Sequence, residues 1–386
     1  MAFWEYVLLL EICYKILEKD REQHKRDHTL YAPYRALADL YHADGYDTEG
    51  DFSERMSSLM ESITTEYRSQ YGDKDNVRLS VASLTEMLYR HDVRDLSKRV
   101  IEYMAHKEVC WLLFDNIDKG WPTAGLKHED LLIIRGLIDA TKKIERQFER
   151  SNVSVNTIVF LRNDVYELLV QETSDRGKEA SVLLDWTDPD LLRELVRLRI
   201  VSNDVNGDET FESLWRRVFV SHYKGEESSQ YLIERSLMRP RFLLNLINQC
   251  KSFAINLNHD RVYEEDIEKG LAAYSTDLLT DIGYEINDVE SGSDDILYAF
   301  IGSRSVVTKT EIFRILGDFG VEEQYIDNIF DLLLWYGFIG IKVNEEPKYI
   351  YDFHYSMKLM SGIIKNKGNL DYIINPAFWP GLMIED

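Results

Sequence analysis

Apolar residues recur at spacings of three and four through most of the first hundred positions. This periodicity predicts helices over residues 3–19, 34–41, 53–71 and 84–105, with Gly- and Asp-rich breaks at 44–51 and 71–76. The pattern then changes. Residues 108–114 form a short apolar run of strand type, 129–150 return to helical spacing, and 155–161 (VNTIVFL) are again β-rich. Strand, helix and strand in that order predict a βαβ unit, and hence a parallel pair of strands.

Beyond residue 164 the spacing is helical once more. Asp188 followed by Pro189 reads as an N-cap with proline at the first helical position, opening a helix over 190–200. Further helices are expected over 211–223, 239–256 and 264–275. The polar string NDVESGSD at 287–294 predicts a domain boundary. After it come helices at 295–302, 309–317 and 321–336, with a short extended piece at 306–308. Two β-rich runs, 338–343 and 348–353, flank a turn at Glu345, Glu346 and Pro347. Three helices followed by a hairpin is the order of a winged helix.

Composition narrows the class. A chain of 386 residues has room for two or three domains, and 45% apolar with 29% charged residues is ordinary for a soluble globular protein. The net charge of −23 argues against nucleic acid and anionic membranes as partners, unless basic residues are gathered locally. The densest basic string, KDREQHKRDH at 19–28, is diluted by Asp20, Glu22 and Asp27 and reads as a solvated helix end. Cys13, Cys110 and Cys250 lie far apart in apolar segments, with neither metal nor disulfide spacing, which suits a reducing cytoplasm. Glu5 and Glu11 interrupt the apolar N-terminus, so it reads as an amphipathic helix and not as a targeting or membrane-spanning segment. His128 and His354 have no companions at ligand spacing.

The candidate chemistry sits in VCWLLFDNIDKGW, residues 109–121. An apolar strand ending in Asp115 and Asp118, three apart, is the form of a Walker B element, in which one carboxylate reaches the Mg²⁺ shell and a second polar group orients water. No G-x-x-x-x-G-K-[ST] occurs in the sequence. The nearest string, GWPTAGLKH at 120–128, has Leu126 before Lys127 and no Ser or Thr after it, so it does not form a phosphate cradle.

Taken in order, FDNID (114–118), FLRND (160–164), DWTDPDLLRELVRLRI (185–200), MRPRFLLNLINQC (238–250) and INPAF (374–378) give the chain a family likeness. It resembles the prokaryotic P-loop ATPases of the STAND/AAA+ kind, which join an ATPase core, a helical lid and a winged helix. The resemblance implies an α/β fold class: an incomplete P-loop NTPase-type parallel sheet over residues 1–175, with a helical N-terminal part. A mainly helical lid would span 176–288, and a winged helix with a C-terminal tail would span 289–386. It implies ATP and Mg²⁺ as cofactors. Asp115 would be the Mg²⁺-associated carboxylate, with Asn116 and Asp118 placing water. Arg162 would read the γ-phosphate, and Arg239 and Arg241, flanking Pro240, would couple nucleotide state to the lid. A guanidinium suits that role because its fixed fork of donors matches phosphate oxygens.

The resemblance also marks a departure, since the P-loop supplies most of the phosphate grip in such proteins. The implied function is a regulatory switch within a larger assembly, in bacterial defence or signalling. A protein partner or a missing N-terminal segment would supply the P-loop, and a homo-oligomer is the other assembly expected. The alternative is a non-catalytic interaction or scaffold protein with a degenerate nucleotide site. A DNA-binding regulator is the weaker alternative. From residue 291 to 386, 8 Lys and Arg stand against 14 Asp and Glu, a net of −6. The recognition-helix position, 322–336, has no Lys or Arg and carries Glu322, Glu323, Asp327 and Asp331, a face that repels phosphates.

Overall fold

The computed structural model describes residues 2–43, 52–71, 93–115, 117, 128–162, 165–166, 169, 181–202, 209–287, 289–290, 292–293, 295–368 and 370–385. The fold is mixed α/β, mainly helical with small sheets. The chain divides into two compact units, one of residues 1–119 and 126–175, the other of 120–125 and 176–386.

In the first unit the Ala2–Lys19 helix is the central element. Tyr6, Leu9 and Cys13 are fully buried, and the helix packs on those of His28–Ala43, Val93–Met104 and His128–Glu149. Its two interrupting acids are matched by bases from other helices. Lys143 Nζ donates to buried Glu5 at 2.5 Å, and Arg55 donates to both carboxylate oxygens of Glu11 at 2.8 and 2.6 Å. Partnered in this way, the carboxylates can enter a helix interface without an unpaired buried charge.

The strand signals end in a parallel pair. β1 (Cys110–Phe114) and β2 (Val155–Val159) run side by side, Cys110 opposite Val155 and Phe114 opposite Val159, with the His128–Glu149 helix as the crossover. That helix buries Leu137, Ile144 and Phe148 in the same core against which Cys110, Leu112 and Phe114 pack. The alternate side chains face the other way: Trp111 is 56% and Leu113 61% exposed, and Ile158 on β2 is exposed beside Leu113. Parallel sheets are ordinarily covered on both faces, so an apolar bare face is unusual.

The second unit begins with a helix over Pro189–Val201, capped as expected: the Asp188 side chain accepts from the Asp190 N–H at 2.9 Å. The helix read at 211–223 stops at Val218. Lys224 and Gly225 both take positive φ (48° and 85°), and this tight turn pairs β3 (His222–Tyr223) with β4 (Glu226–Glu227). An unforeseen helix, Ser228–Glu234, follows it. The helix read at 264–275 runs instead from Glu264 to Asn287, because Leu278, Leu279, Ile282 and Ile286 continue the buried stripe. At its end Asn287 Oδ1 accepts from the N–H groups of Gly292 and Ser293, at 2.6 and 3.2 Å, and Val289 is buried. One hydrophobic core therefore extends from Leu192 to Ile384.

The C-terminal hundred residues close an antiparallel four-stranded sheet. β5 (Val306–Thr308) leads into helices Lys309–Asp318 and Glu323–Trp335, then β6 (Ile339–Val343), β7 (Glu346–Lys348), a helix over Met357–Lys367 and β8 (Asp371–Ile374). The order across the sheet is β5-β8-β6-β7. Residues 295–302, read as a helix, form only a short 3₁₀ helix at Ile296–Phe300. The run read as extended at 348–353 leaves the strand at Lys348 and turns through a 3₁₀ helix, Ile350–Phe353, whose Asp352 accepts from the Tyr349 N–H at 2.7 Å. Sequence periodicity missed β8, which has only four residues and owes its place to pairing with strands far earlier in the chain. Among the described residues no helix is long and apolar enough to cross a membrane.

Candidate functional site

The parallel register puts the ends of β1 and β2 level. The Phe160 N–H donates to the Phe114 carbonyl at 2.9 Å, so both strands leave the sheet at one edge. Asp115 is the first residue past β1 and is exposed; Arg162 is the third past β2 and half-buried. A carboxylate and a guanidinium thus follow the carboxyl ends of adjacent parallel strands, where ligands bind in open α/β sheets. Asn116, Asp118 and the 120–127 loop lie outside the described residues.

A cavity of 520 Å³ lies in the same unit, between one face of the first helix and β1. Leu8, Ile12 and Ile16 line the helix side, and the strand side runs along β1 as far as Asp115. Lys19, Lys107 and Asp20 line it as well. Buried Asp20 accepts from Lys107 Nζ and from the Tyr103 hydroxyl, both at 2.5 Å. The cavity is mainly apolar, and Glu11, Lys15 and Asp115 add to its charged walls. Among the described residues no group of three or more His, Cys, Asp or Glu converges to hold a metal ion.

The arginine motif lies in the second unit, at the start of the Pro240–Asn256 helix, and faces an acidic stripe. Asp277, Asp281 and Glu285 recur every four residues on the Glu264–Asn287 helix and so share one face of it. Gln249 Nε2 donates to Asp277 at 2.7 Å. Arg239 Nη1 donates to both oxygens of Glu285 at 2.9 and 3.0 Å. Burial works against the charge of Arg239, but Glu285, with Tyr355, outweighs it and holds the guanidinium pKa above its ordinary value. Burial and the neighbouring Asp277 and Glu285 raise the pKa of Asp281, and Arg241 opposes them. Arg241 itself is exposed. An anionic ligand would thus meet Arg241 directly, but would have to displace Glu285 to reach Arg239. The motif was legible in sequence; its partner, 46 residues further on, carried no local signal.

The family match falls within this second unit, while the match to a relative takes in most of the chain. Residues 190–283 match a family described as the FunZ-associated C-terminal helical domain. Over 338 residues the chain is 23% identical to the "Putative transposon gamma-delta 80.3 kDa protein" of Escherichia coli (strain K12). That match takes in 81% of this chain and 45% of the relative, so this chain spans less than half of the relative's length. No solved structure matches the chain.

Proposed function

We propose that the chain is an ATPase-type regulatory module of the STAND/AAA+ kind that supplies the acidic strand end, helical lid and C-terminal module of a larger assembly. The observation that carries this reading is the shared edge of β1 and β2, from which Asp115 and Arg162 both emerge. The order β5, two helices, then β6 and β7 supports reading the C-terminal hundred residues as a winged helix. The acidic Glu323–Trp335 helix favours protein contacts over DNA. The similarity to a protein named for a transposon supports a mobile-element setting, beside the defence or signalling role that the resemblance suggests.

Asp115 fits the water shell of a Mg²⁺ ion, and Arg162, which leaves the same sheet edge, fits phosphate oxygens. Bound Mg·ATP would supply the phosphoryl group to be transferred to water. The phosphate cradle would come from a partner or from a preceding segment. Calorimetry on the purified chain with Mg·ATP should therefore give no micromolar binding; such binding, lost in Asp115→Asn, would mean that the chain holds a complete site. In an assembly recovered from host-cell extract on the tagged chain, Asp115→Asn should lower ATP hydrolysis by about ten- to a hundredfold, the scale of an outer-shell metal partner. Hydrolysis indifferent to Asp115→Asn would leave the second reading, a scaffold with a degenerate site, which the Arg239–Glu285 pair favours.

A further inference from the structure

The chain passes into the second unit at Arg176, and residues 181–188 reach the helix start at Pro189 without helix or strand. Val182, Leu183 and Leu184 in this stretch are exposed. The stretch is held at the next residue. One Asp185 carboxylate oxygen accepts from the Thr187 N–H at 2.8 Å, and the other lies 2.8 Å from His354 Nδ1. Thr187 Oγ1 is 3.2 Å from that same nitrogen. His354 thus grips both polar side chains of a small turn 167 to 169 residues earlier in the chain.

His354 is set for this by its backbone. It and Tyr355 are consecutive non-glycine residues in the left-handed region, at φ 47° and 58°. Such residues are uncommon and persist where their surroundings over-determine them. Here the Tyr355 N–H donates to the Ile350 carbonyl at 3.0 Å, the Ser356 N–H donates to the Phe353 carbonyl at 2.9 Å, and the Tyr355 ring packs edge-on to Trp335. Tyr355 also sits beside Arg239, whose guanidinium is paired with Glu285. Adjacent residues of one strained turn therefore touch the entering segment and the arginine pair.

We infer that the His354–Tyr355 turn is a clasp: it fixes the entering chain to the second unit from Asp185 onward and ties that hold to the Arg239–Glu285 pair. The His354 side of the pair is open to solvent, so the hold is weak and reversible, as a clasp between two states requires. Any contact that pulls Arg239 from Glu285 would disturb Tyr355 and, through the shared backbone, His354.

Hydrogen exchange read by mass spectrometry on the full chain tests this without nucleotide, so the outcome is independent of the ATPase reading. His354→Ala should raise exchange in the peptide spanning 181–188 by about threefold, the scale of an exposed ion pair, through the Thr187 amide that Asp185 holds; Asp185→Ala removes that amide's acceptor as well and should raise it at least as much. His354→Ala should add less in the Asp185→Ala background than it does alone, because the His354–Asp185 contact is already gone there. Glu285→Gln should raise exchange in the same peptide through Arg239. The unfolding midpoint should stay unchanged in all of them. If His354→Ala loses the fold, Asp185→Asn reads the same contact from the other side. Exchange at 181–188 that is unchanged in His354→Ala and in Asp185→Asn, which keeps an acceptor for the Thr187 N–H, would overturn the clasp. A response to Asp185→Ala with none to Glu285→Gln would overturn the tie to the arginine pair.

Discussion

At the scale of single residues, burial decides what the three cysteines can do. Burial pushes the Cys250 thiol up to about 12, raises Cys13 further, and also raises half-buried Cys110. A thiolate is the reactive form, so Cys13 and Cys250 should resist alkylation at pH 8 in the folded chain, with Cys110 reacting first. Mass spectrometry after a timed iodoacetamide pulse checks the order, and rapid labelling of Cys250 without unfolding would contradict it. The linkage has a definite sign. A thiol pKa raised in the folded state leaves stability whole below the unfolded value near 9 and removes it as pH climbs from there toward the folded value. Sequence placed these thiols in apolar segments, and it placed Asp115 and Arg162 at strand ends. It could not pair Arg239 with Glu285 or His354 with Asp185, because those partners come from separate elements.

At the scale of elements, a close packing joins the Pro240–Asn256 and Glu264–Asn287 helices. A Cβ added at Gly270 would stand 2.7 Å from the backbone of Cys250, closer than any side chain tolerates. Gly270→Ala should therefore separate the two helices and destabilise the second unit by roughly 1–3 kcal/mol, the usual cost of overpacking, despite alanine's better helix propensity. Urea unfolding followed by circular dichroism measures it, and an unchanged or raised midpoint would mean that the helices are less closely seated. Helices with a long apolar stripe and a cap were legible in the sequence, as at Pro189–Val201. The β3–β4 hairpin and β8 were not. Two- and four-residue strands are too short to carry a period, and their partners, not their composition, make them strands.

For the whole molecule, two surfaces predict behaviour in solution. Trp111, Leu113 and Ile158 make an exposed apolar face on the β1–β2 pair, and such patches promote association. The isolated chain should bind an apolar dye and self-associate by light scattering. Leu113→Asp should reduce both without lowering the unfolding midpoint, since the side chain is already exposed. A monodisperse wild-type chain without dye binding would mean that the face is covered in solution. The second surface is acidic. With a net charge of −23 and an acidic Glu323–Trp335 helix, the chain should give no DNA mobility shift at about 0.15 M salt, where phosphate contacts dominate affinity. A shift lost on changing Lys342 and Lys348 to Glu would overturn that expectation.

Sequence by itself determined the features that repeat locally: the helical periods, the apolar run before Asp115, the Asp188–Pro189 cap and the acidic balance. Each depends on residues within a few positions of one another, so the spacing of side chains along the chain is enough to read it. Tertiary structure alone decided the rest. It set the level ends of β1 and β2, carried one core across residues 287–294, committed Arg239 to Glu285, and held His354 on Asp185. These depend on groups tens to more than a hundred residues apart, and only burial and chain closure bring such groups together.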